Sequence, residues 1–235
     1  MPGKRSRRPV LRRLAAWSFV LALALTLASM LLTLPLRWFD PVTSAFILQD
    51  DSGRVPVMFE WRDWEAIGET SALAVIAAED QRFADHFGID LKSISDALGN
   101  ASGGGRLRGA STITQQTAKN LYLWPGRSLI RKGLEAWLAF NLELYLPKRR
   151  ILEIYLNVIE LGPGVFGIPA ASAFYFGKLP GELTDHDAAL LAAVLPNPHR
   201  LRVDRPSDYV RERQAWILDH LLRLRREHWL QLIDH

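Results

Sequence analysis

Two adjacent carboxylates, Glu79 and Asp80, follow a strongly apolar stretch of the chain. The residues from Ala72 to Ala78 are all Ala, Leu, Val or Ile. If this stretch is helical, Phe83 lies one turn beyond Glu79, so the carboxylate has apolar neighbours on both sides. Such surroundings raise the pKa of a carboxyl group towards the range that suits a general base. The alternative is that the two acids only mark the solvated end of the helix.

A second candidate surface begins at Ser111, where four polar residues are spaced i, i+3, i+4 and i+7 and so share one face of a helix. They are Thr112, Gln115, Gln116 and Lys119. Two amides, a hydroxyl and a cation suit sugar hydroxyls and a phosphate. The start of the helix adds backbone donors for an anion. The alternative is a capping box from Thr112 to Gln115, followed by a solvated face.

A third candidate is the basic cluster before Glu135, formed by Arg127, Arg131 and Lys132. These cations could neutralise a pyrophosphate that lies beside Glu135. The alternative is a pair of exposed ion pairs from Arg131 and Lys132 to Glu135, in the base-before-acid order that is weaker along a helix. Under either interpretation we expect Glu135→Gln to change stability little, because an exposed pair contributes only about 0.2–0.5 kcal/mol.

The elements that must position these residues are predicted to be mainly helical. Apolar spacing and capping residues predict helices over 70–83, 111–124, 129–146, 148–159, 184–195 and 207–225. Thr70 or Ser71 is the predicted cap of the first, and Thr184 begins the fifth. Residues 37–68 are predicted to be irregular or short strands. The five glycines within 99–109 predict a mobile loop.

The N-terminus has the composition of a membrane anchor. Residues 14–36 contain 23 uncharged residues, mostly Leu and Ala, which is long enough to cross a bilayer core of about 30 Å. The cations that precede it place residues 1–13 in the cytosol by the positive-inside rule. The alternative is a cleaved signal peptide, but the apolar stretch is longer than such peptides have. We favour an uncleaved anchor, with the body outside the cytoplasm.

The charge distribution argues against a nucleic-acid partner. Seven of the 29 basic residues lie within residues 1–37, which contain no acid, so the remainder holds 22 basic and 25 acidic residues and is net acidic. A body of that charge binds a phosphate backbone poorly. The sequence has no cysteine, which excludes a disulfide framework and a thiolate nucleophile.

Taken together and in order, these segments resemble the peptidoglycan glycosyltransferases, which occur as stand-alone enzymes and as the N-terminal domain of bifunctional penicillin-binding proteins. The resemblance runs from about residue 72 to 198. It is carried by the patterns E-D-x-x-F-x-x-H-x-G from Glu79, G-A-S-T-I-T-Q-Q from Gly109, R-K-x-x-E from Arg131 and I-L-E-x-Y-L-N from Ile151. Four such patterns in one order are very specific. No S-x-x-K or K-T-G pattern occurs, which favours the monofunctional type.

The resemblance implies a role for each candidate residue. Glu79 is the expected catalytic base and Glu135 the second essential carboxylate. The substrate-binding residues that it implies are Asp80, Ser111, Thr112, Gln115, Gln116, Lys119, Arg127, Arg131 and Lys132. It also implies a mainly α, lysozyme-like catalytic domain over residues 69–235, with a smaller membrane-associated jaw, preceded by the approach segment 37–68 and the single transmembrane helix.

The implied reaction is the inverting transfer of a lipid-linked glycan strand onto the 4-hydroxyl of the lipid-linked disaccharide precursor, lipid II. Undecaprenyl pyrophosphate leaves. A divalent cation, Mg²⁺ or Mn²⁺, is expected and no organic cofactor. The expected partners are lipid II, the glycan strand, the membrane and other proteins of wall synthesis and division, and the expected location is the bacterial inner membrane. The alternatives are a lysozyme-like enzyme that cleaves glycan and a non-catalytic membrane scaffold.

Overall fold

The computed structural model describes residues 8–54, 56–102, 111–126 and 128–234. The described part of the chain is mainly α, as predicted. Its helices are α1 (Arg8–Thr33), α2 (Ala45–Leu48), α3 (Trp64–Ile67), α4 (Glu69–Glu79), α5 (Leu91–Ser102), α6 (Ile113–Tyr122), α7 (Leu129–Tyr145), α8 (Lys148–Val158), α9 (Ile168–Phe176), α10 (Asp185–Val194) and α11 (Asp208–Arg226). Three short 3₁₀ turns lie at Leu34–Arg37, Pro180–Glu182 and Trp229–Ile233.

The core forms around α4, which is buried on every side between Ser71 and Ala77. This helix packs against α10 and α11, while α6 packs against α7 and α8. Its boundaries differ from the prediction. The cap is Gly68 rather than Thr70 or Ser71, because the Ser71 side chain lies inside the core, where it is 1% exposed. The helix ends at Glu79 instead of Phe83 because Asp80 leaves the helical conformation.

Strands are few and short. The strands β1 (Met58–Phe59), β2 (Glu160–Gly162) and β3 (Val165–Phe166) form a sheet in the order β1-β3-β2. The β1–β3 pair is parallel and the β2–β3 pair antiparallel. After β3, Gly167 has φ +83°, and a Cβ there would lie 2.4 Å from the Asn157 carbonyl oxygen. Only glycine allows the end of α8 and the start of α9 to approach so closely.

The helix α5 was not predicted, and it overturns part of the predicted glycine loop, since residues 99–102 are helical. The Asp90 carboxylate caps its first turn by accepting from the Ser93 backbone N–H at 3.0 Å, and Arg82 donates to the same carboxylate at 2.9 Å. This cap favours a helix. The remainder of the predicted loop lies outside the described residues.

The predicted anchor packs directly against the body. Within the described residues, the segment Ala16–Arg37 is long and apolar enough to cross a membrane. The α1 helix packs against α7, where Ser29 donates to Asn141 at 3.3 Å. Tyr122 donates to the Leu32 carbonyl at 2.7 Å, and Arg150 donates to the Leu36 and Phe39 carbonyls at 2.8 and 3.1 Å.

Candidate active site

Glu79 lies at the end of α4, where the apolar core reaches a cleft of about 280 Å³. The Gln116 amide donates to one carboxylate oxygen at 2.9 Å, and Arg213 donates to the other at 3.2 Å. Tyr155, which is fully buried, donates to the Gln116 side-chain oxygen at 2.9 Å. That bond orients the amide so that its N–H groups point towards Glu79. The base candidate is therefore held by two side chains, of which Gln116 is itself held in place by Tyr155.

The surroundings of Glu79 suit proton abstraction. Burial raises the pKa of Glu79 above its ordinary value, whereas the Gln116 hydrogen bond and the charges of Arg213 and Lys119 oppose the rise, and Asp80 adds to it. A carboxylate with a raised pKa is a stronger base than an ordinary one. The alternative that Glu79 only marks a solvated helix end does not match its side chain, which is 15% exposed.

Asp80 lines the cleft, but its carboxylate is bonded to neighbouring elements of the fold. Its carboxylate lies 3.0 Å from the His86 Nε2 and accepts from the Ile113 backbone N–H at 3.0 Å. The side chain is 5% exposed. Asp80 therefore ties the end of α4 to the start of α6. This geometry favours a positioning role for Asp80 over direct substrate contact.

The predicted polar face of α6 divides into two parts. Thr112 and Gln115 form the capping box, with reciprocal bonds of 3.1 Å, and both are 3% exposed. Thr112 also donates to the Gly88 carbonyl at 2.6 Å. These two residues therefore start the helix. Gln116 instead reaches Glu79, and Ser111 lines the cleft.

Lys119 interacts electrostatically with both candidate carboxylates, Glu79 and Glu135. Its ammonium lies 5.0 Å from the centre of the Phe46 ring. Burial lowers the pKa of Lys119, Glu135 raises it, and Arg131 and Lys132 lower it further. Lys119 also lowers the pKa of Glu79. A partly desolvated cation in this position suits a phosphate, because the negative charge favours the protonated form of the lysine.

Glu135 is buried, which shows that the exposed ion-pair interpretation was wrong. It is 3% exposed, and it lies on α7, which packs against α6. Arg131 donates to one carboxylate oxygen at 2.8 Å and Lys132 binds the other. Lys132 also donates to Ser111 at 3.0 Å, which connects this cluster to the cleft. Arg127 lies outside the described residues.

Two residues of the candidate site were missed by the sequence analysis, Arg213 and Trp216, both on α11. Arg213 bonds Glu79, and Trp216 lines the cleft together with Glu79, Asp80 and Ser111. The available signal was their spacing of i, i+3 within a predicted helix, which places them on one face. The sequence pattern predicted this helix, over 207–225, but it indicated no functional residue in it.

The described residues do not fit a resident divalent cation. They contain no group of three Asp, Glu, His or Cys side chains that could hold one. Both oxygens of Glu135 accept from cations, and those of Glu79 bind Gln116 and Arg213. A cation that is bound mainly by substrate phosphates needs fewer protein ligands.

Comparison with known proteins points to one family. The family model described as Transglycosylase matches residues 53–222. The chain is 47% identical over 230 residues, 95% of each chain, to a biosynthetic peptidoglycan transglycosylase of Stutzerimonas stutzeri. It is 46% identical over 217 residues to a protein of the same description from Shewanella oneidensis, covering 91% of this chain and 93% of that one. The identity to another from Aeromonas hydrophila is 48% over 215 residues, covering 89% and 92%.

Proposed function

This chain belongs to the transglycosylase family, and we propose that it polymerises the glycan strands of peptidoglycan from lipid II, with Glu79 as the general base. The observation that carries the proposal is the position of Glu79, a carboxylate with a raised pKa that opens onto a cleft. Lys119 is close enough to influence that pKa. A base and a phosphate-binding cation are the two groups that this transfer requires.

In the proposed reaction, Glu79 accepts the proton of the 4-hydroxyl of lipid II while that oxygen attacks the anomeric carbon of the lipid-linked strand. A C–O bond forms as the bond to the pyrophosphate oxygen breaks, so the configuration inverts. The undecaprenyl pyrophosphate leaves with the electron pair, and Lys119 and Arg127 stabilise its charge. Glu135 holds Arg131 and Lys132 in the same region, and its charge raises the pKa of Lys119.

We propose that the protein acts at the bacterial inner membrane, with its N-terminus in the cytosol and its body on the periplasmic side. The anchor α1 packs beside α7, which presents exposed apolar residues. These are Leu129, Ile130, Leu134, Trp137, Phe140 and Leu144. Such a face suits the interfacial region of a bilayer, next to the anchor. Confinement to the surface that holds the lipid-linked substrate raises its effective concentration.

A requirement for Mg²⁺ or Mn²⁺ remains part of the proposal, with the ion bound mainly by pyrophosphate oxygens of the substrate. No organic cofactor is proposed. Loss of polymer on chelation, with recovery on adding back either metal, would support this requirement. We also propose contacts with other wall-synthesis and division proteins.

The deciding experiment is incubation of the purified full chain with lipid II, in parallel with preformed glycan. Production of polymer supports the proposal. Cleavage of preformed glycan would instead identify the lysozyme-like alternative, and no reaction in either sample would support the scaffold. The Glu79→Gln variant is the control, because its amide cannot accept the proton.

A further inference from the structure

Trp216 is an exposed aromatic side chain inside the candidate cleft. It is 46% exposed, although an indole of this size gains much by burial. The other residues that line the cleft are largely polar, and they include Glu79, Asp80, Arg82, Ser111 and Thr112. Packing in the core therefore does not account for the position of this side chain.

The orientation of the Trp216 ring is fixed by its own helix. His220, one turn further along α11, lies with its ring centre 3.9 Å from that of Trp216 and tilted by 30°. The His220 Nδ1 donates to the Trp216 carbonyl at 2.8 Å, which holds the imidazole in place. The indole is thus supported from one side, and it needs little reorganisation to receive a ligand.

Trp216 also lies at a defined position relative to the base. Arg213, three residues before it on the same face of α11, donates to Glu79 at 3.2 Å. Three residues correspond to a rise of about 4.5 Å along a helix. The indole therefore lies about one helical turn from the residue that holds the catalytic carboxylate.

We propose that Trp216 is an aromatic platform for a hexose ring of the glycan substrate, next to the sugar that reacts at Glu79. The apolar C–H face of a pyranose packs on the indole, while the hydroxyl groups bond to the polar wall of the cleft. An aromatic surface with a few polar groups around it is a common design of ligand pockets. This inference rests on the proposed function, because it assigns part of the same substrate.

The test compares Trp216→Ala, Trp216→Leu and Trp216→Phe with Tyr209→Ala as the matched control. Tyr209 is an aromatic residue on the same helix, 52% exposed, and it does not line the cleft. Three quantities are measured. They are the KM and kcat for lipid II and the affinity for a soluble, lipid-free disaccharide fragment of peptidoglycan by NMR titration.

We expect Trp216→Ala and Trp216→Leu to raise KM and weaken fragment binding by about tenfold, a typical effect of one aromatic contact, with kcat within twofold of wild type. Trp216→Phe should recover most of the loss, and Tyr209→Ala should change none of the three quantities. Trp216→Leu keeps the apolar volume and so tests the role of the ring even if the alanine variant is unstable. Unchanged KM and unchanged fragment binding in the leucine variant would overturn the inference. Trp216-dependent fragment binding without any polymer from the wild type would overturn the proposed function alone.

Discussion

The buried carboxylate of Glu135 allows the sharpest test of the candidate site, through Glu135→Gln. The bond from Arg131, which is 9% exposed, is a charge-assisted hydrogen bond in a buried setting and contributes about 1.5–3 kcal/mol. The Lys132 side chain is 44% exposed, so its pair adds at most about 1 kcal/mol. Glutamine still offers one oxygen to Arg131, so part of that bond is kept. We therefore expect the free energy of unfolding to fall by about 2–3 kcal/mol. That loss corresponds to a decrease of about 5–10 °C in Tm.

This expected decrease in the free energy of unfolding is larger than the decrease predicted from the sequence and replaces it. A loss of stability does not by itself identify a functional role for Glu135. Turnover gives that information. Loss of a positioned electrostatic group commonly reduces kcat by about 10²–10³, so we expect Glu135→Gln to polymerise lipid II at least a hundredfold more slowly at a temperature where it remains folded. Glu212→Gln, an exposed change on α11, is the control and should match the wild type.

The pH profile of Glu135→Gln separates a functional role from a structural one. Glu135 raises the pKa of Lys119, against the lowering by burial and by the neighbouring cations. Removing its charge lowers that pKa further. In the proposed function Lys119 must be charged to bind the pyrophosphate, so we expect activity to decline as the pH rises through the Lys119 pKa. The alkaline limb should therefore move to lower pH in the variant. A wild-type Tm, near-normal turnover and an unmoved alkaline limb would together refute this reasoning.

Three other predictions concern the base and the anchor. Glu79→Gln should remain folded and lose about 10²–10⁴ in turnover, and a rate within about tenfold of wild type in the lipid II assay would contradict its role. Arg213→Met removes a charge that opposes the raised pKa of Glu79. Because the base must be ionised, the acidic limb of kcat/KM should move to higher pH, and an unmoved limb would exclude this electrostatic role. Residues 1–36 should remain on the mature protein, and deleting them should reduce activity on membrane-embedded lipid II more than on detergent-dispersed lipid II. N-terminal sequencing that starts near Trp38 would show cleavage instead.

Local features could be predicted from the sequence, but the packing that creates the site could not. The capping box of Thr112 and Gln115 is confirmed because a cap depends on residues three positions apart. The spacing of Arg131 and Glu135 is the same whether their helix face is exposed or buried. Which of the two applies depends on tertiary packing, such as that of α6 against α7, and the sequence pattern does not show it. The partners of Glu79 come from distant parts of the chain. Arg213 follows it by 134 residues, and no local pattern could indicate that contact.

The hydrogen bonds from Tyr122 and Arg150 to the end of the anchor leave little freedom between the anchor and the body. In the membrane placement proposed above, the anchor and the body move as one rigid unit. The anchor therefore sets the height of the cleft above the lipid headgroups. A transmembrane helix responds to a change in bilayer thickness by tilting, at a small cost per ångström. Because the anchor is fixed to the body, any tilt of the anchor also rotates the cleft relative to the bilayer surface, where the pyrophosphate of the lipid-linked substrate lies. Polymerisation should therefore depend on lipid acyl-chain length, and a flexible insert after Phe39 would not remove that dependence, because these bonds lie before it.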